Sequence, residues 1–98
     1  TWAGGSKALC TELLRDEWGF EGHVVSDWSL YDYTNKNQAF YAGTDVNLTT
    51  TLTTGQMQDA ESATAVKAMR RCMHHYLYSI ANSNAMNGKP PTVRVTYK

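Results

Sequence analysis

A glycine-punctuated break, Gly19-Phe20-Glu21-Gly22, followed at once by His23-Val24-Val25-Ser26-Asp27-Trp28, constrains this chain more than any other stretch. Before it, Leu9, Cys10, Leu13, Leu14 and Trp18 recur at helical spacing, and Ser6 is placed to cap a helix over residues 7–18. A glycine just past a helix end adopts the left-handed conformation without a Cβ clash, so Gly19 closes the helix and Phe20 folds back on its last turn. The β-branched pair Val24 and Val25 then reads as the middle of a short buried strand over 23–27 that ends on a carboxylate.

The alternation continues along the chain. Residues 28–38 are polar and aromatic and read as a loop, 37–42 as one or two helical turns ended by Gly43, and 44–48 as a second short strand. A threonine-rich loop over 49–55 leads to a long helix expected over 57–81, whose Val66, Met69, Met73, Tyr76, Leu77 and Ile80 form an apolar stripe. Adjacent His74 and His75 point roughly 100° apart on a helix, wrong for shared metal coordination, and are expected to face solvent or an interface. Pro90-Pro91 forbids helix, and 92–97 alternates like an edge strand or an extended tail. Helix, strand, short helix, strand, long helix is a run of β/α units, which predicts an α/β fold with parallel strands. Two parallel strands cannot close a barrel of eight, so the chain is expected to be part of something longer, with strand edges open to pairing between copies.

Composition narrows the function. Nine basic and nine acidic residues are interspersed without the basic stripe that nucleic acid requires, and no apolar run approaches the roughly 20 residues of a membrane span. The start, Thr1-Trp2-Ala3-Gly4-Gly5, shows neither an initiator Met nor a signal-peptide pattern, consistent with the same expectation of a longer parent. Cys10 and Cys72 fit no metal spacing and read as buried free thiols within helices. No cofactor and no metal are expected.

Asp27 is the first candidate for chemistry. A carboxylate at the C-terminal end of a parallel strand is where (β/α) barrels place catalytic groups; the rival reading, a strand-end Asp capping the next helix, is about equally common. The run Leu13-Leu14-Arg15-Asp16-Glu17-Trp18-Gly19-Phe20-Glu21-Gly22-His23-Val24-Val25-Ser26-Asp27-Trp28 resembles the nucleophile segment of glycoside hydrolase family 3, the β-glucosidase and β-xylosidase family. Ala42-Gly43-Thr44-Asp45-Val46-Asn47-Leu48 resembles the next strand of that family. The run Ala81-Asn82-Ser83-Asn84-Ala85-Met86-Asn87-Gly88 resembles the chain end of members with swapped domain order.

The resemblance implies that residues 1–88 are the C-terminal segment of a (β/α)8 barrel, about its last two β/α units, with 89–98 as a tail. It implies Asp27 as the nucleophile of a retaining glycosidase and a sugar-facing role for Trp28, with Ser26 and Tyr31 as further substrate-binding candidates. The substrate implied is a β-linked glucoside or oligosaccharide, and the partners are the rest of the barrel and the second domain of the parent enzyme. A retaining glycosidase needs a second carboxyl group roughly 5 to 5.5 Å away. No local motif assigns it; Asp32 and Asp45 are nearest in sequence, Asp45 reading better as a structural acceptor at its strand. The segment alone is expected to be inactive. Two other classes stay open: a carbohydrate-binding or degenerate barrel segment that kept the aromatic loop, and a purely structural α/β interaction domain.

Overall fold

The computed structural model describes residues 2–28, 35–49, 57–84, 86, 88 and 96–98. A 3₁₀ turn, Ala3–Gly5, leads into a ten-residue π-helix, Ala8–Glu17, followed by α1, Lys36–Ala42, and α2, Ala63–Ala81. The short α1 is the hub, packed against the opening turn, the π-helix and α2. Among the described residues, no helix is long and apolar enough to cross a membrane.

The local signals act as the residues dictate. Ser6 Oγ accepts from the Leu9 amide at 3.4 Å. Gly19, at φ +71°, ends the π-helix, and the Phe20 amide returns to the Leu14 carbonyl at 3.1 Å, the fold-back expected after a helix-ending glycine. The Trp18 amide reaches the Leu13 carbonyl, five residues back, which is the wider π spacing. Asn35 caps α1, its Oδ1 accepting from the Gln38 amide at 3.0 Å, and Gly43 closes that helix at φ +118°. Ser62 caps α2 through the Ala65 amide, so this helix starts six residues later than the expected 57.

The fold class departs from the sequence expectation. Among the described residues there is no strand, so the chain is not an α/β barrel segment with parallel strands; it is mostly helical. The segments expected as strands meet in one isolated parallel bridge between Val25 and Val46. Its bonds run from the Ser26 amide to the Val46 carbonyl and from the Asp45 and Val46 amides to the Val24 carbonyl. Parallel ladders persist when both faces are covered and further strands add cross-strand pairs. Here Val25 is 42% exposed and, among the described residues, these two segments pair only through this bridge, so no strand forms there. Pairing between copies through strand edges has no strand to act on among these residues.

The packed face of α2 also differs. The stripe Val66, Met69, Met73, Tyr76 and Leu77 is exposed, Leu77 to 55%. Contacts run instead through Ala65, Ala68, Cys72, His75 and Ser79, one residue earlier at nearly every step and so about 100° around the helix. Small residues explain the choice. Ala65 and Ala68 are buried, as are Ala39 and Ala42 of α1, and their size lets the two backbones approach closely. Arg71 donates to the Phe40 and Tyr41 carbonyls, and Cys72 Sγ lies 3.7 Å from the Thr44 carbonyl. Both cysteines are free and buried, as expected.

Candidate active site

The segment 22–27 is held from several sides before it reaches Asp27. Arg15 Nη1 donates to the Gly22 carbonyl at 2.9 Å, and Ser79 Oγ of α2 accepts from the His23 amide at 3.1 Å. Asp45 Oδ2 accepts from the Val24 amide at 2.8 Å. Ser26 Oγ accepts from the Leu48 amide at 3.0 Å and donates to the Asp27 carbonyl at 2.9 Å, joining the two extended segments. Beyond these ties Asp27 is exposed, and its Oδ1 accepts from the Trp28 amide at 2.7 Å.

Asp27 and Ser26 sit on the wall of an open cavity of about 430 Å³. Its other walls are mostly apolar, with Trp2 from the opening turn, Leu13, Leu14 and Trp18 from the π-helix, and Val24 and Val25. The helical stripe read from the sequence therefore lines a groove instead of filling a core, with Trp18 69% exposed. Trp28 is 54% exposed beside the carboxylate. Of the expected substrate-binding residues, Ser26 and Trp28 adjoin Asp27 in the chain, whereas Tyr31 lies outside the described residues, as does Asp32. Asn47, on the same cavity wall, buries both side-chain amide atoms without a hydrogen-bond partner among the described residues.

Asp45 is the best-connected carboxylate. Its side chain is wholly inaccessible, with Oδ2 at 2.6 Å from Arg15 Nη2 and Oδ1 at 2.8 Å from His75 Nδ1. Both oxygens are engaged and out of contact with solvent, which suits the structural role expected for it. His75 is therefore not solvent-facing; His74 is. Sequence reasoning missed Arg15 and His75 as partners of Asp45, because each lies 30 residues from it and neither belongs to a local motif. Among the described residues, no cluster of three or more His, Cys, Asp or Glu is arranged to hold a metal ion. The Cys72 thiol, next to this network, is pushed up to about 11 by burial and then by the nearby Asp45 charge.

Comparison with known proteins agrees with the motif-level resemblance. A stretch of 43 residues, 44% of the chain, is 46% identical to Beta-glucosidase A of Butyrivibrio fibrisolvens, covering 5% of that protein. A stretch of 20 residues, 20% of the chain, is 75% identical to Exo-alpha-(1->6)-L-arabinopyranosidase of Bifidobacterium breve, covering 3% of it. The chain thus spans a small part of the length of the curated relatives it matches. No solved structure matches it. Residues 1–77 match the family described as Glycosyl hydrolase family 3 N terminal domain. That match names an N-terminal domain and stops before the run 81–88, so it does not extend to a C-terminal placement. With more than three-quarters of its length covered by that match, this chain belongs to glycosyl hydrolase family 3 as part of its N-terminal domain.

Proposed function

We propose that the chain carries the nucleophile of a retaining glycoside hydrolase acting on terminal β-linked sugars in the manner of a β-glucosidase. The observation that carries this reading is an exposed carboxylate, Asp27, at the rim of an open cavity and at the end of a segment whose preceding backbone is tied down. Rigid support with a free reacting group is what a nucleophile needs, since a bound sugar must meet it in one geometry.

In this mechanism a carboxylate oxygen of Asp27 attacks the anomeric carbon as the bond to the leaving oxygen breaks. A second carboxyl group, roughly 5 to 5.5 Å away, gives its proton to that oxygen. Water then attacks the glycosyl-enzyme ester, the second group takes its proton back, and Asp27 is released as carboxylate. Asp45 cannot be the second group, being buried with both oxygens engaged. The acid/base residue comes from Asp32 or from the remainder of the parent. Trp28 and Tyr31 offer aromatic faces to the apolar face of a sugar ring, and Ser26 contributes by fixing the Asp27 backbone, with a lone pair left for a sugar hydroxyl.

The chain alone is inactive in this reading, because the exposed stripe of α2 and the apolar cavity walls require covering and the acid/base carboxyl must be supplied. The run 81–88 further supports a parent in which the two main domains occur in swapped order. Mass spectrometry of the full-length parent after incubation with a 2-deoxy-2-fluoro glucoside tests the central step. A covalent label on the peptide containing Asp27, absent in Asp27→Ala, is the expected result. Full hydrolysis by Asp27→Ala would refute the assignment, and sugar binding without labelling or hydrolysis in the wild type would favour a non-catalytic module.

A further inference from the structure

We propose that Asp45, clasped by Arg15 and His75, is a positioning residue for Asp27, an inference that rests on the reading of Asp27 as the nucleophile. Three independent elements converge on the Asp45 carboxylate: Arg15 from the π-helix, His75 from α2, and the Val24 amide from the segment that ends at Asp27. The same Arg15 guanidinium also donates to the carbonyls of Gly22 at 2.9 Å, Phe20 at 3.4 Å and Gly43 at 3.3 Å. One cation thus fixes both the turn leading into the Asp27 segment and the backbone just before Asp45.

The backbone repeats the grip, since the Asp45 amide donates to the Val24 carbonyl at 2.9 Å. Val24 is therefore held at both its N–H and its C=O by one residue. A buried ion pair is a poor source of net stability compared with apolar side chains of similar volume. What this one supplies is geometry. Val24 lies three residues before Asp27, a lever of about 10 Å at the extended rise per residue. A tilt of a few degrees at Val24 shifts the carboxylate by a large fraction of an ångström, and a misplacement of about 1 Å can cost about a hundredfold in rate.

The test uses the full-length parent, with the wild type, Asp45→Asn and His75→Leu followed during labelling by a 2-deoxy-2-fluoro glucoside. Two quantities are read separately: the fraction of molecules that become labelled at Asp27, and the first-order rate constant at saturating reagent. Asp45→Asn is nearly isosteric but puts an NH₂ group where an oxygen accepted. A positioning role predicts an unchanged labelled fraction, an unchanged half-saturating concentration and a rate constant lower by about ten- to a hundredfold. A smaller labelled fraction at an unchanged rate constant would mean that Asp45 serves folding alone and would overturn the proposal, as would wild-type behaviour. If Asp45→Asn does not fold, His75→Leu, which keeps the Arg15–Asp45 pair, decides by the same two readings. No label at Asp27 in the wild type would overturn the nucleophile reading itself.

Discussion

Replacing Arg15 with methionine should be among the most damaging single changes in the chain. The Arg15 and Asp45 side chains are 10% and 0% exposed and meet at 2.6 Å, so solvent screening is slight. With charge centres about 4 Å apart and an effective dielectric near 20, their attraction is about 4 kcal/mol. Removing Arg15 leaves the buried Asp45 carboxylate with only His75 and the Val24 amide as partners, and breaking such a pair typically costs about 3–5 kcal/mol. That is at least about a fifth of the roughly 5–15 kcal/mol that holds a domain folded. With a urea slope of about 2 kcal/mol per molar, the unfolding midpoint should fall by about 2 M with the slope unchanged. The double variant Arg15→Met/Asp45→Leu removes both charges and should recover at least about 1 kcal/mol of the single-variant loss, although the Val24 amide then goes unpaired. Equilibrium unfolding followed by tryptophan fluorescence reads both. A single-variant loss below about 1 kcal/mol, or a double variant weaker than Arg15→Met, would refute the account of the pair as buried and mutually compensating.

Three further outcomes follow from particular geometries. Gly43→Ala should cost about 2–3 kcal/mol, because φ is +118° and the new Cβ would meet Thr11 Oγ1 at 2.9 Å and the Cys10 Cβ at 3.2 Å. Gly19→Ala, at φ +71° with open space around it, should cost only about 1 kcal/mol; equal losses in urea titrations would contradict the steric argument. Asn35→Ala and Ser62→Ala each remove an N-cap acceptor and should lower stability by about 1 kcal/mol, and thermal melts showing no shift would mean that neither cap matters. With its thiol pushed up to about 11, Cys72 should be about one part in a thousand thiolate at pH 8, and alkylation by iodoacetamide, followed by mass, should accelerate steadily as pH rises toward 11. Rapid labelling of Cys72 at pH 7 in the folded chain would show that it is neither buried nor perturbed.

The groove beside Asp27 shows how far the sequence could be read. Leu13, Leu14 and Trp18 were legible as one face of a helix, and they do share a cavity wall, but spacing says only which residues lie together and not what covers them. The α2 stripe was misplaced for a related reason. Val66, Met69 and Met73 carry the stronger hydrophobic signal, yet the adjoining stripe of Ala65, Ala68 and Cys72 is the one small enough to let α1 approach. Val24 and Val25 carried a strand signal that no sheet fulfils among the described residues, since β structure depends on neighbours that a propensity cannot supply.

By itself, the sequence determined the features set within four or five residues of one another. These are the glycines that end helices at Gly19 and Gly43, and the block from Leu13 to Trp28 that carried the family resemblance; the caps at Asn35 and Ser62 are equally local but were not read from the sequence, which placed the start of the long helix at 57. Backbone conformation and capping are local interactions, so their signals survive in a linear string. Only the tertiary structure decided the packed face of α2, the reduction of two strand signals to one bridge, and the joining of Arg15, Asp45 and His75 across 30 residues on either side. Burial and charge pairing arise when distant segments exclude water together, and that proximity is written nowhere in the order of the residues.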